Sequence, residues 1–152
     1  MIILWVSLGF LIGSLVEWIT HKYILHNFKI KALSHVHFGL HHRKARKFDG
    51  KDSSYESFPP RTWDTGLAEI FMIFLLIVLV TPTWMISPWL WSSLTIHACL
   101  YYLMHRKSHL DTTWCKKWMP WHWDHHMGKN QNMNWGITNP LFDYVLRTRQ
   151  KY

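Results

Sequence analysis

Acidic residues are scarce in this chain: nine Asp and Glu stand against 17 Lys and Arg, for a net charge of +8 over 152 residues. Such a surplus on a soluble domain would point to nucleic acid. Cations, however, are themselves missing from two long stretches. Residues 1–21 and 62–105 hold no Lys or Arg, whereas residues 22–61 hold nine and residues 106–151 hold eight. Cysteine is nearly absent too. Cys99 and Cys115 are far apart and match no CxxC or zinc-finger spacing, so both read as reduced structural thiols. No low-complexity linker and no internal repeat divides the chain, and its length fits a single domain over 1–152.

The cation-free stretches are apolar. Ile2 to Ile19 is broken only by Ser7, Gly9, Gly13, Ser14 and Glu17, long enough to cross a bilayer. A secretory signal peptide competes for this segment. It lacks a positively charged start and an A-x-A-like cleavage site, which favours an uncleaved membrane helix with its N-terminus outside. Leu67 to Met104 is apolar with Pro82 and Pro88 near its middle. As one helix it would measure about 57 Å, far beyond a bilayer core. Two helices joined by a turn over Thr81–Trp89 fit better. The expected spans are therefore about 2–20, 67–81 and 88–104. Glu69 lies near the start of the second and can reach the interface. With three spans both basic blocks fall on one face, and the positive-inside rule makes that face cytoplasmic.

The same topology explains Arg43-Lys44-Ala45-Arg46-Lys47 through anionic headgroups, without nucleic acid. Phe58-Pro59-Pro60-Arg61 reads as a turn closing the first polar block. After His105 the chain is polar but aromatic. Trp114, Trp118, Trp121 and Trp123 alternate with Lys116 and Lys117, as in a helix lying at headgroup level, and Pro120 restarts the helix.

Histidine is abundant, with 12 residues, and ten of them fall into four clusters. These are His21-x4-His26, His37-x3-His41-His42, His105-x3-His109 and His122-x2-His125-His126; His35 and His97 stand apart. Spacings of three and four bring imidazoles to one helical face. Neutral imidazole is the commonest side-chain metal ligand. Ten ligands exceed the four of a tetrahedral zinc and suit two ions, and imidazole alone leaves Fe, Zn, Cu and Ni open. His97 reads as a satisfied core histidine, with a ligand or substrate contact as the alternative. Glu17, one turn before His21, reads equally as a partner for a histidine N–H or as an interfacial carboxylate.

Taken together, the clusters resemble the fatty acid hydroxylase / sterol desaturase superfamily of integral-membrane di-iron enzymes. Asn132-Met133-Asn134-Trp135-Gly136, then Asn139-Pro140-Leu141-Phe142-Asp143 and Arg147-Thr148, resemble the closing signature of that family. His21-Lys22-Tyr23-Ile24-Leu25-His26 is similar to bacterial β-carotene hydroxylases of the same superfamily. The resemblance implies an all-α membrane domain with a cytoplasmic helical cap holding two iron ions, with zinc as a substitute in purified material. It implies O₂-dependent hydroxylation of a lipid C–H bond, or alternatively desaturation or carotenoid hydroxylation. The substrate enters from the bilayer, and electrons come from a separate carrier protein. A membrane metal-binding protein without redox chemistry is the rival from another class.

Carried over residue by residue, the implied ligands are His21, His26, His37, His41, His42, His105, His109, His122, His125 and His126, with Glu17, Asp124 and Asn134 as partners fixing imidazole tautomers. The second cluster departs from the family's HxxHH, because position 38 is Phe38. On an ideal helix His37 and His42 lie about 140° apart. A π-bulge realigns them, or else His35 takes the place of His37.

Overall fold

The computed structural model describes residues 1–60 and 64–152; the predicted turn at Phe58–Arg61 therefore ends outside the described residues. All regular structure among the described residues is helical. Helix α1 (Ile2–Thr20) runs directly into a π-helical turn, His21–Leu25. A short α2 (Lys31–Ser34) leads into a second π-helix, His35–His42, and then α3 (Arg43–Lys47). After a 3₁₀ turn at Ser53–Tyr55 come α4 (Thr65–Val80), a 3₁₀ turn Thr81–Met85, and α5 (Pro88–Leu110). Helices α6 (Thr112–Trp118), α7 (Pro120–Met127) and α8 (Leu141–Val145) complete the chain.

The predicted boundaries have identifiable causes. Asp64 accepts from the Gly66 N–H at 3.2 Å and starts α4, while Pro88 and Pro120 open α5 and α7 at positions that need no N–H donor. Two segments are long and apolar enough to cross a membrane: Ile2–Leu25, with mean hydropathy 2.0, and Thr65–Met85, with 2.2. Their outer faces expose large apolar side chains, among them Ile3, Leu4, Leu11, Phe74, Val78 and Leu79, that only an apolar solvent would suit. The third expected span coincides with the start of α5, which is long enough at about 34 Å. Ser93, His97 and its charged last turns make it more polar than the other two, and it does not reach their apolarity.

Helix α5 is the central element, packed most extensively against α1 and next against α4. Glycine makes the α1 contact close. A Cβ at Gly9 would lie 2.6 Å from the Cβ of Ser93, and one at Gly13 would lie 2.6 Å from the ring of His97. The Ser93 hydroxyl donates to the Val6 carbonyl at 2.8 Å across this seam. Small residues four apart thus let two helices touch backbone to backbone, where lipid provides no hydrophobic drive.

At the polar end, Cys115, Met119 and Ile137 form a compact core on which Trp114, Trp121 and Trp123 pack half-buried. The Trp121 indole donates to the Ile137 carbonyl at 3.0 Å, and Lys116 covers the Trp123 ring at 4.1 Å. Three of the four tryptophans predicted as interfacial anchors therefore hold the cap together; Trp118 alone of the four is more than half exposed. Burial pushes the Cys115 thiol up to about 12, consistent with an inert structural cysteine.

Replacing Gly13 by Ala should force the His97 ring aside and cost about 1–3 kcal/mol, the usual scale of overpacking. Thermal unfolding of the detergent-solubilised variant followed by tryptophan fluorescence measures it; an unchanged midpoint would show that the α1–α5 seam has slack.

Candidate metal centre

Both irregular histidine spacings sit on π-helices. Hydrogen bonds in such a helix close over five residues, and the His26 N–H donates to the His21 carbonyl at 3.2 Å in that manner. One π-turn therefore brings His21 and His26 to one face, and the π-helix His35–His42 does the same for His37 and His42. His37 is buried and its Nε2 lies 3.0 Å from that of His21, while His35 is exposed and stands outside the cluster. The missing histidine at position 38 is thus compensated by backbone geometry.

All ten clustered histidines are buried, and they form two adjacent groups. His21, His26, His37, His42 and His125 place one nitrogen each within 4.8 Å of one another; His41, His105, His109 and His126 do likewise. His122 joins the second group, its Nε2 3.1 Å from that of His109 and its ring 4.6 Å from that of His126. The two histidine pairs divide their members: His42 and His125 serve the first group, His41 and His126 the second. Neighbours on a helix diverge by about 100°, so one dipeptide reaches both groups. The groups touch where the His42 and His126 rings approach to 4.3 Å.

Tautomers follow from partners that can only accept. His21, His125 and His109 donate Nδ1–H to the carbonyls of Trp135, Met133 and Gly50, each at 2.7 Å. His41 donates to Asp52 at 2.8 Å and His105 to Glu69 at 2.5 Å. Each of these five imidazoles then has a bare Nε2 lone pair. The bare nitrogens of His105 and His109 nevertheless face one another at 3.2 Å, with no hydrogen to share. Nε2 of His42 meets those of His26, His37 and His125 at 3.1–3.3 Å and can offer them one proton at most. The buried Nε2 of His41 and both ring nitrogens of His126 have no hydrogen-bond partner. Lone pairs converging in this way, away from water, are the donor set of a cation site.

Extra protons are a poor substitute. Burial first, and neighbouring imidazoles second, hold His37, His42, His122 and His126 well below the ordinary 6.5. His109 and His125 are lowered for the same reasons, and burial brings His26 to about 4. The rings are neutral at pH 7, the state in which imidazole binds a metal. Burial works against ionisation of Asp52, but bonds from His41 and Ser54 overcome it and hold the carboxyl well below its usual range.

Residues 6–148 match the fatty acid hydroxylase family. The chain belongs to that family. Comparison with curated proteins and with solved structures finds no match. Family membership makes the chain an oxidoreductase-type membrane protein and accords with a metal centre in the histidine cluster.

The three expected tautomer-fixing residues do other work. Glu17 accepts from the Ile137 and Thr138 backbone N–H groups and from the Thr138 hydroxyl, and the histidine it meets is His97, at 3.3 Å, rather than His21. Asp124 pairs with Arg149 at 2.7 Å. Asn134, at φ +60°, bonds Gln150 and Arg149. The family's closing signature instead acts through its backbone. Asp143, fully buried, accepts from the Trp135 and Gly136 N–H groups at 2.8 Å, from the Trp18 indole and from Thr148. That turn aims the Met133 and Trp135 carbonyls at His125 and His21.

Asp52, Glu69, Gly50 and Asp143 were not recognised as partners because none adjoins a histidine cluster in sequence. Glu69 did carry a signal: it is the one charged residue of α4, and an ionisable group in an apolar span is functional by default.

The metal-free fold should weaken in acid. Each depressed imidazole is neutral when folded and takes a proton at about pH 6.5 when unfolded. Stability is full above that pH and falls through the window from 6.5 down to each folded value, about 4 for His26. Each such group changes the folding constant roughly tenfold per pH unit within its window. Chemical unfolding of chelator-treated protein between pH 8 and 4 would show it; a flat profile would mean that the rings protonate in place.

Proposed function

We propose that this protein is an O₂-dependent, non-haem di-iron oxidoreductase that hydroxylates a lipid at the cytoplasmic face of a membrane. The observation that carries the reading is the junction of the histidine cluster with an apolar cavity. The cavity, about 440 Å³, lies between α1, α4 and α5, and His21 and His37 line it together with Val16, Ile24, Leu76 and Ala98. Its lining residues on α4 run from Thr65 to Val80, a rise of about 22 Å. That length suits an extended acyl or related apolar chain drawn sideways from the bilayer, with one carbon held at the His21–His37 end.

The ten histidines are assigned as ligands, five to each ion, with iron as the family's metal. A pair of iron ions supplies the reduction of O₂ and the oxidation of an unreactive C–H bond. The chain's own residues do the rest. Val16, Ile24 and Leu76 align the substrate and exclude water from the reacting carbon, so that oxidising equivalents are not lost to solvent. The Trp135 and Met133 carbonyls lock His21 and His125 in the tautomer that leaves Nε2 free. Electrons come from a separate carrier protein, for which the cytoplasmic basic blocks at 22–61 and 106–151 offer a positively charged approach.

Purified protein should bind two iron ions per chain, and expression with a reductant should give a lipid product carrying one added oxygen, detected by mass spectrometry. Full occupancy at fewer than two ions sinks the dinuclear centre, and an unchanged lipid and carotenoid spectrum sinks the oxygenase. Loss of two hydrogens without added oxygen would make it a desaturase. His125→Ala should abolish product while membrane insertion persists. Ala98→Phe, which fills the cavity, should retain both ions yet lower turnover roughly tenfold or more by displacing the substrate.

A further inference from the structure

The two histidine groups differ in what holds the far side of each ring. In the group whose rings do not line the cavity, His41 donates to the carboxylate of Asp52 and His105 to that of Glu69, whose own side chain borders the cavity wall. Both carboxylates are buried and firmly placed. Ser54 donates to Asp52 through its N–H at 2.9 Å and also through its hydroxyl, while Tyr55 and Tyr101 each donate to Glu69 at 2.9 Å. In the group that lines the cavity, the partners whose identity is clear are neutral. They are the carbonyls of Trp135 and Met133, and the Gln131 amide, 2.8 Å from Nδ1 of His42.

A carboxylate drawing on the Nδ1 proton leaves the imidazole more electron-rich at Nε2 than an amide carbonyl does. Lys44, 3.5 Å from Asp52, and the hydroxyl donors offset part of this charge. The partners identified for the rings of His21, His42 and His125 carry no charge. Building on the dinuclear reading above, we infer that Asp52 and Glu69 make the His41/His105/His109/His122/His126 group the stronger, electron-rich metal site, and leave the cavity-facing group the weaker donor beside the substrate. Asp52 and Glu69 are positioning residues: they act through His41 and His105. An ion held by the other group would receive less electron density from its imidazoles and be the better oxidant, and His21 and His37 of that group border the cavity. An ion held by the His41/His105/His109/His122/His126 group would be bound more tightly.

The test uses full-length protein in detergent, loaded with iron-57 and challenged with increasing chelator. Wild-type protein should release its two ions in two steps, and its Mössbauer spectrum should show two unequal iron environments. Asp52→Asn and Glu69→Gln preserve shape and an accepting oxygen while removing charge. Each should shift the resistant step about 10–100-fold towards the labile one and move one Mössbauer component alone. Gln131→Glu makes the converse change, placing a carboxylate at His42, and should slow release of the labile ion. Because this substitution acts on the other group, the inference stays open to refutation even if the first two variants fold poorly. Single-step release of both wild-type ions overturns the inequality and leaves the dinuclear centre standing. Variants that lose neither resistance nor their spectral component also overturn it. A wild-type protein that never takes up two ions overturns both.

Discussion

Ten buried imidazoles packed nitrogen against nitrogen do not all satisfy one another. Once the Nδ1–H groups of His105 and of His109 are committed as donors to Glu69 and to the Gly50 carbonyl, the two Nε2 atoms left facing each other are both acceptors. Without a cation between such groups, their burial is a cost, since each buried polar atom left unpaired is worth about 1–3 kcal/mol. Much of the surrounding chain can be understood as scaffolding against that cost. The close α1–α5 seam, the Trp-rich core of the cap and the Asp143-centred turn all hold rings in positions they would otherwise leave.

The scaffolding also explains why two spacings that look wrong for an α-helix occur in this chain. His21/His26 and His37/His42 are both five apart, and both are brought to one face by a π-helical turn. A π-turn is intrinsically rare, and stability alone gives no reason to keep two of them. Here each one exchanges backbone regularity for an additional imidazole in the cluster. The adjacent pairs His41-His42 and His125-His126 then stitch the groups together, each giving one ring to either group.

Much of this was legible in the sequence. Long apolar runs without cations, prolines at helix starts and histidines at three- and four-residue spacing fix elements locally, and α1, α4, α5 and α7 follow them. The alignment of His37 was legible only as a choice, because helical periodicity puts it on the wrong side and nothing local announces a π-helix. What escaped were the partners of the rings. A backbone carbonyl leaves no mark on a sequence pattern, and Asp52 and Glu69 reach His41 and His105 from separate segments. Glu17, Asp124 and Asn134 were near histidines in sequence but are turned to other tasks by tertiary packing. The tryptophans of the cap show a related limit: an indole suits an interface and a core equally well, and the sequence alone does not reveal that Trp114, Trp121 and Trp123 also pack on the cap core.

The contacts of Glu17 and Trp18 on α1 run to residues more than a hundred positions later: Ile137, Thr138, Asp143 and Thr148. His21 likewise waits for the carbonyl of Trp135. On a ribosome delivering the chain into a membrane, the first helix is inserted long before its partners exist. The cluster therefore lacks part of its support until the last of these segments has been made. Residues 133–148 act as a clasp that closes on α1 only after synthesis has passed them, so the histidine cluster is assembled in the finished chain rather than in the nascent one.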